Sequence, residues 1–193
     1  MKTESEDQLR SRGIGVLVLG LFGGLWVFLA LLERGHATPL YLTALAAVVF
    51  AYLAAAVWLL RLSRSLPREP EDRARSRAFL RINAISWTSA IAAYLLLHML
   101  RRDVDFLPVL AIIAGLHFIP LGRLFGNIPQ IGTGIFMTLW AVVALLFLPT
   151  ENLASTTCFG CGLILWQSAT MTVAVACDAV WTSRRLRPSL NQP

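Results

Sequence analysis

Long apolar stretches separated by short polar connections set the pattern of this chain. Six can be marked: Gly13 to Leu32, Leu40 to Leu60, Ile82 to Leu100, Phe106 to Leu124, Ile131 to Leu148, and Cys158 to Thr182. A helix of about 20 residues crosses the hydrocarbon layer of a bilayer, and each stretch is close to that length. Inside hydrocarbon every backbone amide must find its partner within the chain, so runs of this kind are predicted to be helices. The strand-like alternation of a transmembrane barrel is absent. The expected fold is all-α: one polytopic domain over residues 1–193, a transmembrane bundle of about six helices.

Composition supports that reading. Of 193 residues, 56% are hydrophobic and 15% charged, against about a quarter charged in ordinary soluble domains. The net charge of +6 does not point to nucleic acid, because the basic residues flank apolar runs and no nucleic-acid-binding signature is present. The expected partners are the lipid bilayer and its anionic headgroups.

The arginines and lysines also orient the chain. Fourteen fall in the N-terminal segment, the connection 61–81, the fourth connection with Arg123 at its edge, and the C-terminal segment; three, Arg34, Arg101 and Arg102, fall in the other connections. Basic residues concentrate on the cytoplasmic side, so both termini are expected in the cytoplasm. The first stretch reads as a retained helix. It is longer than a cleavable signal core, and Glu33-Arg34-Gly35-His36 does not resemble a cleavage site. The connection 61–81 is the one sizeable polar segment. Pro67 and Pro70 stop the second helix, and Glu71 to Arg81 is either a solvated, orientation-setting loop or a short amphipathic helix on the headgroups.

Helices in lipid associate through close backbone approach and hydrogen bonds. Small residues one turn apart mark candidate contact faces: Gly20 and Gly24; Ala47, Ala51 and Ala55; Ser86 and Ala90 with Ser89 and Ala93; Ala111 and Gly115. The same stripes would serve a homo-oligomer, although packing within one chain is their commoner use. The six tryptophans lie mostly away from helix centres, as interfacial anchors do.

Polar groups inside the spans carry the candidate chemistry. His117 lies near the middle of the fourth span, and Pro120 removes an amide hydrogen bond one turn later. Arg123 follows near the cytoplasmic edge. Asp178 is the one carboxylate inside a marked stretch, and an isolated carboxylate there is costly. Arg123 is its expected partner, with Asn83 entering the third span at the same level. His117, Arg123, Asp178 and Asn83 thus form either a site for a proton, ion or small ligand, or a structural clasp between helices. Cys158-Phe159-Gly160-Cys161 opens the sixth stretch on the extracytoplasmic side, where oxidation is permitted. The pair is read as thiol-disulfide redox chemistry, a structural disulfide, or two packed thiols. Cys177 is too distant to relay electrons to it. Zinc is disfavoured, since His36 is the one other ligand on that side. No nucleotide loop, dinucleotide fingerprint or hydrolase motif is present. The expectation is no cofactor and no metal centre, with enzymatic activity disfavoured. A binding or transport role leads; a membrane thiol oxidoreductase and a non-catalytic scaffold are the alternatives. An inverted repeat of three plus three spans is a topological option without matching residues in the two halves.

The string His117 to Phe125, H-F-x-P-L-x-R-x-F, resembles a segment of uncharacterised small bacterial six-span integral membrane proteins. The resemblance covers this segment together with overall size and hydropathy. It implies a six-helix protein of a bacterial plasma membrane and implies no activity.

Overall fold

A computed structural model of the chain describes residues 6–63 and 73–186. Within them are six long helices: α1 (Glu6–Glu33), α2 (Pro39–Ser63), α3 (Arg73–Met99), α4 (Phe106–Leu124), α5 (Ile128–Phe147) and α6 (Thr150–Leu186), with a short 3-10 turn over Asp103–Asp105. All six are long and apolar enough to cross a membrane. The protein is an all-helical membrane protein.

Two boundaries differ from the hydropathy pattern in ways that matter. α3 begins at Arg73, so part of the basic connection is continuous with the third span and not a separate surface helix; residues 64–72 of that connection, with Pro67 and Pro70, lie outside the described residues. α6 begins at Thr150, eight residues before the apolar stretch. The polar sequence after Pro149, with Glu151, Asn152 and Ser155, hid that start, because a helix end at the interface need not be apolar.

Three tight connections share one closing geometry. His36 N–H donates to Leu31 O (2.9 Å), Arg102 N–H to Leu97 O (2.9 Å), and Asn127 N–H to Gly122 O (2.7 Å). Each bond wraps the end of a helix and requires a left-handed residue just before the donor. That residue is Gly35 (φ 63°), Arg101 (φ 56°) and Gly126 (φ 63°) respectively.

α1, α4, α5 and α6 form the centre. α6 lies along α1 and also touches α5 and α4, α4 packs closely on α5, and α2 lies on the far side of α1. α3 rests on α4 and has no buried residue. The main core joins Trp26 and Ala30 of α1, Ala111 of α4, Met137 and Ala141 of α5, and Cys158, Cys161, Leu165 and Ala169 of α6. A smaller core joins Val16, Ala56, Leu59 and Ala176. The end carrying the start of α1 and the finish of α6 is called the terminal end below, and the opposite end the distal end.

Glycine sets the helix crossings, as lipid-solvated packing demands. On α1, Gly20 and Gly24 face Tyr52 and Val49 of α2, as their spacing predicts. Gly23, on the other side of the same turn, faces Trp166 and Gly162 of α6. Gly115 and Gly134 bring α4 against α5, and Gly160 receives the ring of Trp140. The expected alanine face of α2 is used in part: Ala47 and Ala51 are exposed, Ala55 packs against the smaller core, and Tyr52, Ala56 and Leu59 supply the rest of the inward face. On α3, Ser89 is exposed and Ser86, Ala90 and Ala93 are half-buried. The tryptophans divide in the same way. Trp58, Trp87 and Trp181 are exposed, whereas Trp26 is buried and Trp140 and Trp166 are hydrogen-bonded packing residues within the bundle.

Candidate functional site

The four residues grouped from sequence do not assemble into one cluster. His117 is brought to α3 beside Asn83, without a contact to its side chain. His117 projects from α4 toward α3 and its ring reaches the backbone of Ile82, the residue next to Asn83. Asn83 itself donates from Nδ2 to Phe79 O one turn back (2.9 Å), the local bond that Asn makes when no better partner is presented. The Nδ1 atom of His117 is buried and has no hydrogen-bond partner. A neutral imidazole carries one donor and one acceptor, and a buried polar atom left unmatched costs stability. α4 runs unbroken through Pro120 to Leu124. Phe125, just past its end, packs edge-to-face on Phe79, ring centroids 6.0 Å apart. The seam between α3 and α4 therefore holds a half-buried histidine over an aromatic contact.

Arg123 is exposed in the last turn of α4 and makes no ion pair among the described residues. Asp178 is exposed on α6 and has a different partner. The clasp expected between them is therefore not formed, and the packing explains why. α6 lies chiefly along α1, in a register fixed by Gly23 against Gly162 and by Trp166 Nε1 donating to Gly20 O (3.2 Å). Continued toward the terminal end, that register joins Val16 to Ala176 in one core.

Cys158 and Cys161 are free thiols, both 0% exposed. Because α6 starts at Thr150, they lie two turns inside the helix, beyond the first turn in which a helix terminus acts on a thiol. Three residues apart, they share the face turned to the core. Closed in this way, neither thiol is presented to an external disulfide or quinone, so the oxidoreductase reading loses the access its chemistry requires.

The distal end carries polar chemistry that hydropathy passed over. Asp105 is 7% exposed and pairs with Arg102 (Oδ2 to Nε, 2.6 Å). The pair is spaced i, i+3, and that spacing is the one sequence signal for it. His98 Nδ1 lies 3.0 Å from Asp103 Oδ1 on the surface. Arg34 donates to Ser155 Oγ (3.2 Å) and Thr156 Oγ1 (3.3 Å), joining the end of α1 to α6. Beside these contacts is an open cleft of about 290 Å³ lined by Glu33, Asp103, Glu151, Leu107 and Ala154 among others. Among the described residues no group of three or more His, Cys, Asp or Glu is placed to hold a metal ion.

Comparison with protein-family models, curated proteins and solved structures finds no match for this chain.

Proposed function

We propose that the protein is a binding or transport protein of a plasma membrane, both termini in the cytoplasm, that takes up a proton or a small hydrogen-bonding ligand at His117. The observation that carries this reading is the buried, unpartnered Nδ1 of His117 at the α3–α4 seam. Ionisable side chains within spans are rare, and those that persist usually face protein or a water-filled path. α3 has no buried residue, so this seam opens at lower cost than the glycine-packed contacts among α1, α4, α5 and α6. Asn83 adds an amide that can exchange its local bond for a ligand. Arg123 and Asp178 act outside this site, the first at the headgroups. The orientation rests on the excess of basic residues at the terminal end.

NMR of the His117 ring in lipid nanodiscs tests the reading. Its resonances are expected to move between the forms of a neutral and a protonated imidazole as the pH is lowered. The backbone amides of Ile82 and Asn83 should shift with it, and His117→Phe should abolish both changes. A ring that holds one state throughout, with α3 unresponsive, would remove His117 as the site. A reporter fused after Pro193 tests the orientation separately, and activity confined to the periplasm would reverse it.

A further inference from the structure

α3 rests on α4 with one side only, the side of the half-buried Asn83, Ser86, Ala90 and Ala93. Its opposite side is built differently. Arg73, Arg77 and Arg81 follow one another at i, i+4 spacing, which keeps them within about 80° of each other around the helix. All three are exposed. α3 carries no acidic residue to offset them, and none of the three makes an ion pair among the described residues. Like charges at this spacing repel. Arginines at the distal end are matched instead, Arg34 by Ser155 and Thr156 and Arg102 by Asp105.

The length of α3 sets their depth. Ile82 to Met99 measures about 27 Å along the axis, close to the hydrocarbon thickness of about 30 Å. Arg81 therefore stands at the edge of the hydrocarbon, and Arg77 and Arg73 stand about 6 and 12 Å farther out, in the headgroup layer and just beyond it. Arg77 Nε donates to Arg73 O (3.3 Å), so its side chain folds back toward the headgroups. On the other side of Arg81 the stripe continues as Ala84, Thr88 and Ala92, all small and exposed. The larger Ile85 and Trp87, also exposed, stand on either side of it. A shallow channel thus runs down the outward face of α3 from the three guanidinium groups.

We infer that this face binds one anionic phospholipid, its phosphate held by Arg77 and Arg81 and one acyl chain laid in the channel over Ala84, Thr88 and Ala92. Guanidinium groups match phosphate with paired, charge-assisted hydrogen bonds, and basic clusters beside a span recognise anionic lipids. Orientation alone does not demand the arrangement, because basic residues orient a span by their number in its connection, from any side of the helix. Arginines aligned above small side chains suit a ligand with a charged head and an apolar tail. A soluble anion would use the head of the site and not the channel. A second copy of the chain, packed here about a two-fold axis, would bring the same arginines against each other. The inference uses neither His117 nor the α3–α4 seam, so it stands or falls apart from the proposed function.

The test extracts the full-length protein gently from vesicles of equal phosphatidylcholine and phosphatidylglycerol and counts retained lipids by native mass spectrometry. One phosphatidylglycerol per chain is expected, in clear excess over phosphatidylcholine. Arg77→Gln and Arg81→Gln should each weaken its retention about fivefold, the effect of one basic residue near an anionic surface. Thr88→Leu fills the channel with every charge in place and should also weaken it. Arg101→Ala removes a charge at the distal end and should leave it unchanged. A photoactivatable acyl chain on the native protein should label Ala84 to Ala92 and spare the outward face of α2 at Ala47 and Ala51, a result that depends on no variant folding. Equal retention of the two lipids, native retention in the Arg77→Gln, Arg81→Gln double variant or in Thr88→Leu, displacement by millimolar inorganic phosphate, or label spread evenly over α2 and α3 would each overturn the inference.

Discussion

Gly23 of α1 and Gly162 of α6 meet backbone to backbone. A methyl group built on Gly162 would stand 2.9 Å from the carbonyl oxygen of Gly23, and one on Gly23 would stand 3.2 Å from that of Gly162. The side chains around them close the remaining space, with Trp166 Nε1 2.6 Å from the methyl position on Gly23 and Val27 Cγ2 2.5 Å from that on Gly162. Since carbonyl oxygens within helices cannot turn aside, Gly23→Ala and Gly162→Ala should each force α1 and α6 apart. Overpacking of this kind costs about 1–3 kcal/mol. Gly15 and Gly132 have nothing within 4 Å of a built methyl group, so alanine there should leave stability unchanged or slightly raised. Unfolding of the four variants in mixed micelles checks the ordering.

The contrast also shows what the sequence contained and what it did not. Spans were legible because hydrocarbon imposes length and apolarity directly, and α4 matches its apolar run residue for residue, Phe106–Leu124. Which face of a span packs was only half legible. Gly20 and Gly24 were visible as a one-turn repeat, whereas Gly23 belongs to no repeat on its own helix and gains meaning only opposite Gly162. The alanine repeat of α2 is more regular than its inward face, which takes only Ala55 from it, but spacing on one helix does not say where its neighbour stands. Asp178 was assigned to Arg123 for the same reason. Both lie toward the terminal end, yet equal depth does not make two side chains neighbours.

Tyr52 hooks α2 to α6 across α1. Its hydroxyl donates to Trp166 O (3.1 Å) and lies 2.9 Å from Thr170 Oγ1, while its ring stacks on Trp166 with centroids 6.1 Å apart. α2 touches α6 at few other points. Tyr52→Phe keeps the stack and removes the hydroxyl, and should cost about 0.6–1.7 kcal/mol, the range for side-chain hydrogen bonds between membrane helices. Thr170→Val should cost less, because the Tyr52 hydroxyl keeps Trp166 O as its acceptor. A double-mutant cycle reads the coupling, and strict additivity of the two changes would mean that the hydroxyls do not interact.

Arg101 closes the end of α3 with φ 56°, the same left-handed geometry that Gly35 and Gly126 supply elsewhere. A side chain in that conformation costs about 1–2 kcal/mol. Arg101→Gly should therefore stabilise the protein by up to about 1 kcal/mol, after the roughly 0.5–1 kcal/mol of extra backbone entropy that glycine loses on ordering. Arg101→Ala removes the same charge and keeps the strain, so it should give no gain. Arg102→Ala should instead destabilise, because it strands Asp105, 7% exposed, without its 2.6 Å partner. Thermal unfolding of the three variants distinguishes backbone geometry from charge at this turn.

Arg123 and Asp178 provide the sharpest test of the helix arrangement, because a direct clasp and separate roles give opposite results. Arg123 lies in the last turn of α4, exposed and without an ion pair among the described residues, where its long side chain can reach the headgroups. Asp178 is exposed on α6 and has its own partner. Arg123→Ala and Asp178→Ala should accordingly be additive within about 0.5 kcal/mol, as unconnected sites are. The charge swap Arg123→Asp with Asp178→Arg should rescue neither single change. Arg123→Lys should behave like the native protein, since a flexible cation serves at the headgroups as well as a guanidinium, whereas a paired site would discriminate between them. Coupling well above that limit, together with rescue by the swap, would instead place α4 beside the terminal half of α6 and require a different packing of the bundle.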